Sequence, residues 1–245
     1  LGERLGPGRL LIGIVAVLLI FAAMEPRVIS PANLRNIAIQ GSYLSVFALA
    51  QCLVILTRGF DLSLGFTVSL VSVLSAMVMV GTGSVFLGVL AGLGVGLVIG
   101  LTNGILIGGM GLNPLVMTLG MANIVMALAS TVSGGFPVSG LPAGFGATFA
   151  QGTFLGLPAQ IWVVALLFLA AGAMLRATRL GRSFYIIGAN PRAAVAAGIN
   201  TFGSLVSAYA LSSLVTATGA LLLTARTGSG EPNLGGNLTL EAIAA

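Results

Sequence analysis

The sequence has no histidine and no lysine, and its ten basic residues are all arginine; five acidic residues and one cysteine complete a sparse polar inventory for 245 residues. Without histidine or lysine there is no histidine base, no histidine metal ligand, no Schiff-base lysine and no Walker A lysine. The chain is therefore not itself a P-loop ATPase. The lone Cys52 excludes an intrachain disulfide and a thiolate metal cluster, and its apolar surroundings predict a small buried residue. No carboxylate pair and no nucleophile with a base stands out, so no catalytic site, metal site or cofactor is expected. Charge is scarce as well: charged residues make up 6% of the chain, against about 25% in ordinary soluble domains. None occurs between Asp61 and Arg176, and no water-facing surface can be built from that stretch.

What is abundant is apolar sequence, at 57% of residues, together with 36 glycines. The expected fold class is all-α, a polytopic integral membrane protein, because helices and closed barrels are the only spanning solutions and these runs lack a barrel's polar–apolar alternation. Apolar runs at 10–24, 37–56, 62–80, 85–107, 115–131, 161–175 and 205–225 predict about seven spans within a single transmembrane domain covering 1–245. The first run has a charged start like a signal peptide's, but no small-residue cleavage site follows it. Ser30 as N-cap and Pro31 at the first helical position mark the start of the second helix. The chain begins at Leu1 rather than Met and stops inside the apolar run 242–245, so it is expected to be part of a longer one.

An N-terminus inside the cell places Arg4, Arg9, Arg58, Arg176, Arg179, Arg182 and Arg192 in the cytoplasm and Arg27, Arg35 and Arg226 outside, as the positive-inside rule favours. The net charge of +5 is thus read as orientation rather than nucleic-acid binding. Residues 133–160 form an external, uncharged connection expected to fold back on the bundle or the membrane.

Gly88, Gly92, Gly96, Gly100, Gly104 and Gly108 recur every fourth residue. Each step advances roughly 40° beyond a full turn, so the ribbon winds round its helix and favours a crossed contact or contacts with two neighbours. Dense packing and sliding between helices both fit such a ribbon.

Two segments carry more specific information. In residues 57–65, Gly59 suits a helix C-terminus and Asp61 an N-cap for the helix that follows. Asp61 is the only acidic residue between Glu25 and Glu231. A carboxylate at membrane depth costs about 3 kcal/mol, so it needs a partner or a water-filled cavity, and Arg58 is the candidate partner. Capping and direct solute contact are both open for Asp61. Residues 176–203 form the second segment, a cytoplasmic loop in which Asn190 as cap, Pro191 in the first turn and Gly198 as stop predict a helix of about two turns. So short a helix needs another surface to order it, either a groove on a soluble partner or, through the arginines, lipid headgroups.

At these segments the chain resembles the permease subunits of bacterial ABC importers for ribose and related simple sugars. The resemblance rests on Leu53 to Gly65, on Gly100 to Gly104, on Pro114 with Thr118 to Met121, on Gly181 to Ile199, and on Ala225, Arg226, Pro232, Gly235 and Leu240 to Ala245. It covers residues 33–245. Arg58 departs from it, standing where the family usually has glycine, and the family continues beyond residue 245 with further membrane helices. The resemblance implies a passive permease of the cytoplasmic (inner) membrane that carries a ribose-like pentose or a hexose. Its implied partners are cytoplasmic ABC ATPase subunits, a second permease copy, a periplasmic or lipid-anchored sugar-binding protein and membrane lipids, with no nucleic acid. The implied ATPase-coupling residues are Gly181, Arg182, Gly188, Asn190, Pro191, Ala193, Ala194 and Gly198. Asp61, Ser63, Asn103 and Thr118, with Ser69, are the candidates for a polar path or gate. A branched-chain amino-acid permease and an ATP-independent secondary carrier are the alternatives; the latter has little but Asp61 to carry protons.

Overall fold

The computed structural model describes residues 7–245, with side chains from residue 12 onward. Arg4 lies outside the described residues, as does the side chain of Arg9. The chain divides into two units, residues 1–41 and 42–245.

The first unit holds α1 (Pro7–Met24), a 3-10 turn (Pro26–Ile29) and the beginning of α2 (Pro31–Ile55). Glu25 Oε1 accepts from Arg27 N at 3.2 Å and caps the turn. The expected start of α2 is present: Ser30 Oγ accepts from Asn33 N at 3.3 Å, with Pro31 at the first helical position.

The second unit comprises the rest of α2 with α3 (Leu64–Thr82), α4 (Val85–Met110), α5 (Pro114–Ser133), α6 (Ala143–Phe149), α7 (Ala159–Ala177), α8 (Arg179–Ala189), α9 (Pro191–Ala196), α10 (Thr201–Thr227) and α11 (Leu238–Ala244). Its only regular strands among the described residues, β1 (Thr153–Phe154) and β2 (Leu157–Pro158), make a small antiparallel hairpin. The longer helices begin where the sequence offers caps: Ser84 Oγ accepts from Leu87 N, Asn113 Oδ1 from Leu115 N ahead of Pro114, and Asn200 Oδ1 from Gly203 N.

Six helices are long and apolar enough to cross a bilayer: α2, α3, α4, α5, α7 and α10. The run expected to form the first span lies in α1, whose described apolar part, Ile12–Met24, is shorter. Apolar side chains face outward, among them Phe86, Val116, Leu166 and Leu169 at 67–72% exposure, while hydroxyls and amides such as Gln51, Ser69, Ser72, Asn103, Thr118 and Thr224 are buried. That inversion suits a lipid surround, where the hydrophobic effect gives helices no reason to associate and small and polar contacts hold them together. Cys52, expected to be buried, is exposed, because it shares α2 with Gln51 and Leu53 but points away from them.

The glycine ribbon of α4 contacts two neighbours, as its winding requires. A Cβ on Gly88 would meet Ser75 and Met79 of α3, one on Gly92 both α3 and α10, and those on Gly96, Gly100, Gly104 and Gly108 only α10. Gly100→Ala, which drives a methyl into the Tyr209 carbonyl and the Ser213 side chain, is expected to cost about 1–3 kcal/mol. Gly94→Ala, with nothing within 4 Å, should be neutral or slightly stabilising, and melting temperatures in detergent compare the two.

The connection 133–160 does fold back: Phe145 of α6 is buried, and Val138 pairs with Gly230 in a short antiparallel bridge. Beyond α10 the chain returns along α3. Ser72 Oγ accepts from Glu231 N at 3.1 Å and from Thr224 Oγ1 at 2.7 Å, and Ser69 Oγ accepts from Gly235 N at 3.1 Å. Non-helical backbone among membrane-length helices needs such partners, and here α3 supplies them as serines.

Candidate functional site

The loop between α2 and α3 is sunk into the bundle. It touches Thr118 in the second turn of α5, Asn103 about two turns before the end of α4 and Tyr209 about two turns into α10, roughly 6–12 Å inside those helix ends. Four expected path residues meet there. Asp61 Oδ1 accepts from Ser63 N at 2.9 Å and from Ser63 Oγ at 2.5 Å. Asn103 Nδ2 donates to Ser63 Oγ at 3.0 Å. Thr118 Oγ1 accepts from Leu62 N at 3.0 Å. All four residues are enclosed, at 0–2% exposure. Asn103 Oδ1 is buried with no partner among the described residues, so this amide keeps an unused acceptor. The fifth candidate, Ser69, lies one helical turn or more further along α3 and holds Gly235 instead.

Asp61 departs from two expectations. It is not the N-cap: Ser63 occupies that position, and Asp61 forms a turn two residues earlier by accepting from the Ser63 amide. Nor does Arg58 neutralise it, since the ion pair found among the described residues is Arg27–Glu25, at 3.9 Å. Arg58 turns the other way, its Nε donating to the Gly188 carbonyl at 2.6 Å and its Nη2 to that of Ala189 at 3.0 Å. Hydroxyl and amide donors take the place of a cation around Asp61.

The end of α2 also differs from expectation. Gly59 N donates to Val54 O at 3.1 Å and Arg58 N to Ile55 O at 2.9 Å, the two bonds of a Schellman motif. The left-handed residue of that motif is Arg58, at φ 63°, rather than Gly59. Gly59 is required for space: a Cβ there would overlap the Tyr209 hydroxyl and Val54.

Two further residues shape the loop. The Gln51 amide, oriented to match donor with acceptor, donates to the Asp61 carbonyl and accepts from its amide, both at 3.3 Å. Tyr209 Oη donates to the Phe60 carbonyl at 3.3 Å. Gln51 is legible only as one of two amides, with Gln40, within the apolar run 37–56, whereas Tyr209 gives no signal, because its partner is 149 residues away in sequence.

The coupling candidates form two short helices. Thr178 Oγ1 caps α8 by accepting from Gly181 N, and Asn190 Oδ1 caps α9 by accepting from Arg192 N and Ala193 N. The predicted short helix is α9, six residues long and stopped at Gly198, φ 73°; the amphipathic α8 before it was not read as a helix. Gly181 and Gly188 pack backbone against backbone, on Leu175 and Leu56, and Ala194 is fully buried. These three therefore position the pair, while Arg182, Asn190, Pro191, Ala193 and Gly198 are exposed. Between α8 and the start of α10 opens a cavity of about 570 Å³ lined by Arg179, Arg182, Ser183, Asn200, Ser204 and Ser207. Within that lining the Ser183 and Ser204 hydroxyls pair at 2.9 Å, and Arg179 and Arg182 supply two guanidinium groups.

Membrane-length helices with polar side chains turned inward, a polar loop sunk among them and a basic helical pair define a multi-pass membrane protein. A family model described as "Branched-chain amino acid transport system / permease component" matches residues 33–245, and the chain belongs to this family. It is 32% identical over 244 residues to the ribose import permease protein RbsC of Bacillus subtilis, covering 99% of this chain and 75% of that one. It is 36% identical over 256 residues to the galactose/methyl galactoside import permease protein MglC of Salmonella typhimurium, covering 95% and 76%. The ribose import permease protein RbsC of Escherichia coli is 31% identical over 241 residues, covering 96% and 74%. No solved structure matches. The chain is accordingly a multi-pass inner-membrane protein.

Proposed function

We propose that the chain is the membrane-spanning subunit of an ATP-driven importer for a simple sugar, a ribose-like pentose or a hexose. The observation that carries this reading is the enclosed cluster of Asp61, Ser63, Asn103 and Thr118 at the tip of a loop whose base meets α8. A neutral polyol is suited to hydroxyl and amide partners such as Ser63, Asn103 and Thr118. The relatives named for ribose and galactose import support a sugar over a branched-chain amino acid. An occluded cluster must open to pass a solute. In this reading a cytoplasmic ATPase docks on α8 and α9, a second permease copy completes the path, and a binding protein outside delivers the sugar. The basic cavity beside α8 suits acidic side chains of the ATPase.

Reconstitution in proteoliposomes tests the proposal with D-ribose, D-galactose and L-leucine as solutes. One of the sugars is expected to accumulate only when the co-expressed ATPase, ATP and the binding protein are all present. Uptake by the permease alone would sink the proposal, and uptake of L-leucine alone would move the substrate to the amino-acid class. For the docking surface, Val195→Cys is the suitable probe, since Val195 is 61% exposed whereas Ala194 is enclosed. With Cys52 replaced by alanine, a bifunctional crosslinker at position 195 should capture the ATPase in the intact complex, and no capture would count against docking at α9.

A further inference from the structure

The Asp61 loop and α8 meet through two adjoining contacts. Arg58 donates from Nε to the Gly188 carbonyl at 2.6 Å and from Nη2 to the Ala189 carbonyl at 3.0 Å. Both carbonyls belong to the last turn of α8, where a helix leaves acceptors without partners and its dipole is negative. Beside them the Gly188 backbone lies so close to the Leu56 carbonyl that any Cβ at position 188 would overlap it. The ends of α2 and α8 are thus in direct backbone contact, and the guanidinium clamps the junction.

Arg58 holds this place against its own backbone preference. At φ 63° it occupies the left-handed position of the Schellman motif, where glycine is unstrained and an L side chain is not. Glycine would serve the turn better. What arginine adds is reach to α8, and the connection onward is short: Phe60, two residues later, is held by Tyr209, and Asp61 by Gln51 and Ser63.

We infer that Arg58 is a positioning residue that ties α8 to the sunken loop, so that movement of α8 and α9 displaces residues 61–63 and loosens the bonds of Ser63 to Asn103 and of Leu62 to Thr118. The inference rests on the reading of α8 and α9 as the docking element. It supplies the physical link which that reading requires between the docking element and the path.

The test uses the full complex of permease, ATPase and binding protein in lipid nanodiscs, comparing wild type with Arg58→Gly and Arg58→Lys. Arg58→Gly removes the guanidinium and relieves the left-handed strain together, so its melting temperature should equal or exceed that of wild type. Amide hydrogen exchange on adding ATP is followed at residues 179–196 and 57–63. In wild type both segments should respond. In Arg58→Gly the response at 179–196 should persist, while that at 57–63 falls by about five-fold or more. Sugar uptake per ATP hydrolysed should fall with it, for whichever of D-ribose and D-galactose the wild-type complex accumulates. Arg58→Lys, whose ammonium lacks the planar fork, should lie between the two. A wild-type response at both segments in Arg58→Gly overturns the link while leaving the docking reading in place. No response at 179–196 in the wild-type complex overturns the docking reading, and the Arg58 link falls with it.

Discussion

Asp61→Ala is expected to abolish sugar uptake and to lower the melting temperature of the permease markedly. The substitution removes the acceptor for both the Ser63 amide and the Ser63 hydroxyl, in a loop where those groups are fully enclosed. A buried donor left without its partner costs about 1–3 kcal/mol, and two are orphaned at once. The Ser63 hydroxyl is then free to turn, which also loosens the Asn103 amide that donates to it. Asp61→Asn retains an Oδ1 acceptor and is expected to melt close to wild type. If the carboxylate's charge takes part in gating, the Asn variant loses uptake while remaining folded, so parallel melting and uptake measurements separate the two roles. An Ala variant that melts like wild type would show that Gln51, Tyr209 and Thr118 suffice to hold the loop.

The second large effect is expected at the contact between Gly65 and Gly235. A Cβ on either glycine would run into the carbonyl of the other, and one on Gly65 would also meet the Thr239 hydroxyl, which accepts from Gly65 N at 2.9 Å. Backbone on both sides leaves no flexible side chain to give way. Gly65→Ala and Gly235→Ala are each expected to cost at least the upper part of the about 1–3 kcal/mol range for overpacking. Each should also release the returning segment from Ser69 and Ser72, read as new protease sensitivity at 229–237. Gly236→Ala, whose nearest neighbour is at ordinary contact distance of 3.8 Å, is the matched control; equal melting of Gly235→Ala and Gly236→Ala would refute the steric account.

These two sites differ in how much of them was legible in the sequence. Asp61 was visible as an isolated acidic residue between long apolar runs, and its neighbours Ser63, Asn103 and Thr118 were identified with it. The pairing of Arg58 with Asp61 was the natural expectation from a spacing of three residues, and it fails because residue 58 is left-handed. That conformation sends the side chain to α8 rather than back toward the loop tip. The Gly65–Gly235 contact had no local signature. It joins residues 170 positions apart, and only the return of the chain along α3 brings them together.

The short helix α9 was predicted from its cap, proline and glycine, all of which act within a few residues. Helix α8 is missed because its residues fall within the cytoplasmic loop expected at 176–203. Its apolar face carries the helical spacing of Leu180, Phe184 and Ile187, and the bundle buries Phe184 and Ile187.

The sequence by itself determined that this protein is a bundle of membrane helices, where several of those helices begin, and that these residues include no Walker A lysine. Such properties follow from composition, apolar run length and capping residues, which act locally or through the solvent. Only the tertiary structure decided that the loop bearing Asp61 is sunk and sealed, that Gln51 and Tyr209 hold it, and that Arg58 grips α8. Those outcomes depend on which backbone groups meet across the bundle. Helices that all present apolar faces to lipid do not encode that meeting in their periodicity; it is set by where glycines let backbones touch and where buried polar groups find partners.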